Sequence, residues 1–298
     1  MRTRPTLTWS PSGPSLPRTT TLTDVIPIVD EGGVLVLSGA GLSTESGIPD
    51  YRGEGGSLRK HTPMTYEEFT TSPAGRQRYW ARSHVGWRTI ARAHPNAGHH
   101  AVTRLGQKLS GVITQNVDGL HQAAGSRDVV ELHGGLDRVI CLDCGMLSPR
   151  VELDRRLREA NPDFAATTDE INPDGDVFLP EDQVRGFEVV GCEECGGVLK
   201  PDVVFFGENV PRPRVEQCYS LVDNARSLLV LGSSLTVMSG LRFVRRAAES
   251  GIPVVIINRG ETRGDPYASI RVDLPLGKSL TELADVVLQS GNGDLPGR

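Results

Sequence analysis

Apolar positions in this chain gather into short unbroken runs, and the stretches between them carry helical spacing. Val34-Leu35-Val36-Leu37 is one such run. Gly111-Val112-Ile113-Thr114, Val129-Val130-Glu131-Leu132, Ser227 to Leu231 and Pro253 to Ile257 are others. A run without polar alternation predicts a strand covered on both faces, the habit of parallel sheets. Helical spacing is read from Asp24 to Glu31, Thr65 to Arg92, Asn96 to Lys108 and about Gly240 to Ser250. In the second of these, Tyr79, Trp80, Trp87 and Ile90 share a buried face, and Arg76, Arg78, Arg82 and Arg88 point mostly elsewhere. Ala284 to Leu288 reads as a last strand or helix. No internal repeat is visible. Strands alternating with helices predict an α/β fold with a doubly wound parallel sheet.

The polar residues change the picture because of where they stand. Each apolar run is followed by small or polar residues: 39–52 after the first, 115–118 after the second, 133 after the third, then 232–234 and 258–260. In doubly wound sheets ligands sit beyond the carboxyl ends of the strands. Five such loops therefore predict one cleft. The first is the most specific. Gly39 and Gly41 permit a tight turn and close approach of the backbone, and Ser43 and Thr44 suit a helix start. A strand, a glycine turn and a helix N-terminus form a phosphate cradle, although a bare strand-to-helix turn would look the same. The dehydrogenase fingerprint wants a third glycine where Thr44 stands, so this is not an ordinary dinucleotide turn. Residues 53–62, polar and glycine-rich, read as a mobile loop able to close over a ligand.

Residues 137–199 have another character, with a charged helical piece at Glu152 to Glu159 and a loop rich in Asp, Asn and Pro. Here lie Cys141, Cys144, Cys192 and Cys195, as two Cys-x-x-Cys pairs trailed by glycines. Two such pairs predict a closed four-thiolate structural zinc site, with a redox pair as the rival. Cys218 stands apart and reads as a small buried hydrophobe. His133, after a strand and before two glycines, is a candidate general base, though lone histidines are often structural. Gln115, Asn116 and Asp118 would serve equally as turn residues.

Composition bounds these readings. The chain has 298 residues, ordinary globular proportions and a net charge of −5, which argues against nucleic-acid binding. No apolar run approaches a membrane span, so no membrane partner is expected. Paired cysteines without a signal peptide point to a reducing compartment, and a cytoplasmic location is expected. Residues 1–23 contain no acid and several prolines, and read as a disordered tail rather than a transit peptide.

Taken whole, the string from Gly39 to Gly47-Ile48-Pro49-Asp50-Tyr51-Arg52 resembles the signature of the sirtuins, the NAD-dependent protein deacylases. The resemblance spans roughly residues 24–290. It implies a Rossmann-like sheet from about 24–52, 96–136 and 200–290. It also implies a smaller domain from a helical insertion at 53–95 and a zinc module at 137–199, all within a catalytic domain of 24–298. It implies NAD as co-substrate, contacted by Gly39, Ala40, Gly41, Ser43, Asp50, Tyr51 and Arg52. Gln115-Asn116-Val117-Asp118 would line the nicotinamide pocket, with Asn116 counted with His133 as catalytic. Gly232-Ser233-Ser234 and Asn258-Arg259-Gly260 would meet phosphate and adenine ribose, and Leu276 would flank the adenine. Val203-Val204-Phe205-Phe206-Gly207-Glu208 would pair with an acyl-lysine peptide and line its tunnel.

Asp50-Tyr51-Arg52, Arg78 to Arg82 and Asp174 to Phe178 resemble the class II branch, typified by the animal mitochondrial sirtuin with lipoamidase and ADP-ribosyltransferase activities. Tyr79 and Arg82, three apart on a helix, share a face and by resemblance would bind the distal carboxylate of an acyl chain, so acidic or bulky acyl groups are expected; packed and solvated roles are the alternative. The implied reaction has the acyl oxygen displace nicotinamide from the ribose. His133 then activates a ribose hydroxyl, and lysine and O-acyl-ADP-ribose result. Mono-ADP-ribosyl transfer and non-catalytic NAD binding are the rivals.

Overall fold

The structure is a computed structural model, and it describes residues 21–52, 63–166 and 172–290. The elements in chain order begin with α1 (Ile26–Asp30), β1 (Val34–Ser38), α2 (Tyr66–Thr71), α3 (Pro73–Ile90) and α4 (Ala97–Leu105). They continue with β2 (Leu109–Thr114), α5 (Leu120–Ala123), β3 (Val129–Glu131), β4 (Gly134–Cys141), β5 (Leu147–Pro149), α6 (Arg150–Ala160), α7 (Glu181–Val184) and β6 (Leu199–Val203). The chain ends with α8 (Arg212–Asp223), β7 (Ser227–Leu231), α9 (Met238–Glu249), β8 (Val254–Ile257), β9 (Ile270–Val272) and α10 (Leu276–Ser290).

Six strands form one parallel sheet in the order β3-β2-β1-β7-β8-β9. The chain winds one way from β1 and later the other way from β7, so the topological switch point lies between β1 and β7. Alternation along β1 shows how both faces are filled. Val34 and Val36 join the core under α1, α4 and α10. Leu35 and Leu37 join the core under α8 and α9. All five β1 residues are buried, as a run without polar breaks requires.

A second, three-stranded sheet, β5-β4-β6, is antiparallel. It has its own core with α2, α3 and α6, built around Phe69, Trp80, Leu153 and Phe187. Among the described residues no helix is long and apolar enough to cross a membrane.

Several expectations change. The single helix read across 65–92 is two helices. Ser72 precedes Pro73, and the residue before proline disfavours the helical region; Ser72 sits at φ −111°, ψ 108°. Each new start is capped: Thr65 accepts the Glu68 N–H and Ser72 accepts the Gly75 N–H. No α-helix follows the glycine turn; residues 40–46 form two 3-10 turns closed by Gly47 at φ 83°. The ambiguous segment at 284–288 lies inside α10. Helix α8 and the short edge strand β9 are additions to the sequence reading. Of the tail read as 1–23, residues 1–20 lie outside the described residues, and Leu22 is buried in the sheet core. The loop read at 53–62 lies outside the described residues.

Candidate active site

A cavity of about 530 Å³ opens at the switch point. Its walls come from every strand-tip cluster read in the sequence. They include Gly39, Ala40, Gly41 and Ser43 after β1, Gln115 to Asp118 after β2, and His133 after β3. Gly232, Ser233 and Ser234 after β7, and Asn258 and Arg259 after β8, complete that side. Asp50, Tyr51, Arg52 and Val203 to Glu208 form the opposite wall.

Why glycine stands at 39 and 41 is seen across the switch point. A Cβ on Gly39 would lie 2.8 Å from the Gly232 carbonyl oxygen and from Ser233 Cβ. On Gly41 it would lie 2.9 Å from the same carbonyl. The two glycine turns cross in contact, so their first demand is close approach of backbone to backbone.

His133 is fixed from both sides. Its Nδ1 lies 2.9 Å from the Gln115 carbonyl, which only accepts, so Nδ1 carries the proton. Nε2 is then the acceptor, and Ser239 Oγ donates to it at 2.8 Å. Burial pushes the imidazole down to about 4; the Gln115 carbonyl works the other way, and the charges of Arg214 and Arg242 add to the lowering. The ring is neutral near pH 7 and ready to accept a proton. The following residue, Gly134, takes φ 83°, and a Cβ there would collide with the Asp202 carbonyl. Val204 N–H donates to the His133 carbonyl at 2.8 Å, so this histidine is stitched to the chain leaving β6. Arg138 braces the same junction through Glu131 at 2.6 Å and Asp202 at 2.8 Å.

Beside it lies a polar cluster. Asn116 Nδ2 donates to the Gly39 carbonyl at 3.1 Å and to Ser43 Oγ at 3.0 Å. Ser43 Oγ donates to Asp118 Oδ2 at 2.6 Å. Burial raises Asp118, and its bonds from Ser43 and the Leu120 N–H oppose the rise. Gln115 Nε2 reaches Ser233 Oγ at 2.8 Å, linking the tips of β2 and β7. Arg52 Nη2 is buried with no hydrogen-bond partner among the described residues. A cation held in this way fits an anionic ligand, and a dinucleotide pyrophosphate suits it.

Residues 203–208 are held by Lys200, which is 3% exposed. Its Nζ meets Glu208 Oε2 at 3.1 Å, and Glu208 accepts the Phe205 N–H at 2.8 Å. Phe206 already exchanges a parallel bridge with Thr65.

The four cysteine sulfurs lie within 4.8 Å of one another, Cys141 to Cys195 at 3.5 Å and Cys144 to Cys192 at 3.8 Å. Tetrahedral Zn–S bonds of about 2.3 Å place sulfurs roughly 3.8 Å apart. The set therefore fits zinc with no ligand position left open, a structural site.

Four assigned residues stand elsewhere. Leu276 packs in the sheet core, against the back of the Gly232 turn, and does not line the cavity. Gly260 is turned away, its N–H donating to Asp273. Tyr79 is 1% exposed, behind the cavity wall against Phe69, Trp80 and Phe205. Arg82 donates to the Leu179 carbonyl at 3.2 Å and lies over the Phe178 ring. An i,i+3 spacing gives a shared helix face, and here that face looks into the small-domain core. Conversely Met64, Asp174, Ser239 and Arg242 line the cavity without having been read as site residues. Ser239 and Arg242 share one face of α9 just beyond the Gly232-Ser233-Ser234 turn, a spacing signal that was available.

The model of the Sir2 family matches residues 39–239. The chain belongs to the Sir2 family. It is 67% identical over 287 residues to the NAD-dependent protein deacetylase 1 of Streptomyces coelicolor, covering 96% of each chain. It is 49% identical over 253 residues to the mitochondrial NAD-dependent protein lipoamidase sirtuin-4 of Homo sapiens, covering 83% of this chain and 80% of that one. A solved Sir2 complex with a p53 peptide and NAD+ superposes with a TM-score of 0.71 at 28% identity, over 92% of this chain and 99% of that one. Six parallel strands and a four-cysteine cluster are thus the Sir2 fold as this chain carries it.

Proposed function

We propose that this enzyme is an NAD-dependent protein lysine deacylase, with His133 as its general base. One observation carries the assignment: a neutral imidazole, its proton fixed on Nδ1, faces the cavity beside the Asn116–Ser43–Asp118 cluster. NAD is a consumed substrate. Arg52 and the crossed glycine turns receive its phosphates, Asn258 and Arg259 its adenosine end, and Asn116 and Asp118 the nicotinamide end. The acyl-lysine enters along Val203 to Glu208. Its acyl oxygen displaces nicotinamide from the anomeric carbon. His133 Nε2 then takes the proton of a ribose hydroxyl as that oxygen bonds to the acyl carbon. Water completes release of lysine and O-acyl-ADP-ribose.

The relatives named above, a deacetylase and a lipoamidase, agree in reaction type and differ in acyl group. Ile48, Met64, Val117 and Phe205 give the cavity apolar wall beside the substrate segment, which suits an uncharged acyl chain. Substrates are acyl-lysine proteins, and four reduced cysteines holding zinc suit a cytoplasmic setting.

The test is a panel of acyl-lysine peptides with NAD, read by nicotinamide release and mass spectrometry. Nicotinamide with stoichiometric O-acyl-ADP-ribose is expected. ADP-ribose attached to protein would instead support the transferase reading, and no nicotinamide with any peptide would support binding alone.

A further inference from the structure

The second hydrogen bond on His133 has no part in the reaction as described. Ser239 stands in the first turn of α9, whose sequence Met238–Glu249 packs Phe243 and Val244 into the sheet core. The helix is therefore rigidly placed, and it delivers Oγ to 2.8 Å from Nε2. That nitrogen is the one left to accept, because Nδ1 donates to the Gln115 carbonyl. The serine lies on the cavity wall beside Nε2, the atom that takes the ribose proton in the proposed reaction.

We infer that Ser239 is a positioning residue for the base: its hydroxyl holds the His133 ring on the acceptor tautomer in the resting enzyme, and turns to accept from Nε2–H once the proton has been taken. The inference rests on His133 being the base. A serine hydroxyl suits both halves of this exchange because it donates and accepts by rotating one bond. In the transfer, the ribose O–H bond breaks, its proton forms the Nε2–H bond, and the oxygen bonds to the acyl carbon. The imidazolium so formed needs an acceptor. The ionic groups that act on it are the cations Arg214 and Arg242, which oppose its charge, and the Gln115 carbonyl is already used by Nδ1. Ser239 Oγ is the acceptor in reach.

The reaction order supplies a test that separates positioning from plain damage. Cleavage and re-formation of the glycosidic bond precede the base, so exchange of labelled nicotinamide into NAD does not need His133. Ser239→Ala, Ser239→Thr and His133→Ala are compared with wild type for label exchange and for O-acyl-ADP-ribose formation with one acetyl-lysine peptide. Ser239→Ala is expected to lower the kcat of product formation about tenfold, the scale of one hydrogen bond to a reacting group, with exchange within twofold of wild type. Ser239→Thr, which keeps the hydroxyl, is expected to restore most of the loss. If product formation in Ser239→Ala stays within twofold of wild type, or if exchange falls in parallel with it, the role of Ser239 is overturned. If His133→Ala itself forms product at the wild-type rate, it is the assignment of the base that fails.

Discussion

The two walls of the cavity are held up by different physics. The sheet side is a layered apolar core: Leu35, Leu37, Val36 and Ile256 are essentially inaccessible, and helices cover both faces. The small-domain side has a single, aromatic-rich core around Phe69, Tyr79, Trp80 and Phe187 beside a cysteine cage, and it adds buried charge to them. Arg150, 1% exposed, lies between the rings of Trp80 and Trp87 and beside Asp154. Asp154 in turn meets His84 at 2.8 Å. Burial pushes Asp154 up, yet His84, Arg150 and Arg88 together hold it below the ordinary carboxylate range. Leu147 and Val151, near the cage, remain exposed. The sheet-side floor of the cavity thus rests on burial alone, and the opposite wall, which carries Tyr51 and Arg52, backs onto a core supplemented by a cysteine cage and ion pairs.

Removing the metal should break that comparison most sharply. A strong chelator, or Cys192→Ser, is expected to lower deacylation more than about 100-fold, because binding energy at a closed zinc site is folding energy. Far-ultraviolet dichroism should retain most of its helical signal, since α4, α8, α9 and α10 belong to the sheet side. Loss of all helicity in one transition would show that the walls fold as a unit.

His133→Ala attacks the other wall. Product formation is expected to fall about 100- to 10,000-fold, the range of general-base contributions, with little change in Tm. A variant within tenfold of wild type would remove His133 from the mechanism.

Acid should also distinguish the walls. Burial lowers His99 to about 4, His121 to about 3 and His133 to about 4, and all three lie on the sheet side. The unfolded chain takes up these protons near pH 6.5, the folded chain only near 4 or below. Stability is therefore complete above about pH 6.5 and falls as pH drops towards 4, by up to about 1.4 kcal/mol per pH unit for each histidine. Hydrogen exchange measured between pH 7 and 5 should accelerate first in α4 and α5. Faster exchange in α3 and α6 alone would contradict this.

Arg138 joins the two regions, pairing with Glu131 next to β2 and with Asp202 in β6. Arg138→Ala is expected to cost about 1–3 kcal/mol, a partly buried cluster scaled down for its remaining solvent contact. Calorimetry would read this as a fall in Tm of several degrees. An unchanged Tm would make the brace ornamental. The smallest effect is expected at Arg82. Arg82→Met should leave the ratio of kcat/KM for acetyl- and glutaryl-lysine peptides within about twofold, because its guanidinium is spent on Leu179 and Phe178 outside the cavity. A large selective loss of glutaryl activity would put Arg82 back at the acyl site.

What the sequence disclosed follows the same division. β1, β2 and β7 were legible because strands buried on both faces must be apolar throughout, and their tips were legible because polar residues there break the runs abruptly. The cysteine pairs were legible from spacing alone. The reason for Gly39 and Gly41 was not, since it lies in the Gly232 turn far along the chain. β9 is three residues at a sheet edge, too short to leave a pattern. For Tyr79 and Arg82, helical spacing fixes that they share a face and is silent on what the face meets. Leu276 was assigned to the adenine by resemblance alone, yet its packing partner is the glycine turn itself. Contacts between residues far apart in the chain, such as Arg138 to Asp202 or Ser239 to His133, carry no local signature.

The most direct measurement is calorimetric titration of NAD into the zinc-loaded protein, beside its Asn116→Ala and His133→Ala variants. One site per chain is expected, weakened about tenfold or more by Asn116→Ala and nearly unchanged by His133→Ala. Absence of binding, or equal affinity in the Asn116 variant, would contradict a strand-tip cavity built to hold a pyridine dinucleotide.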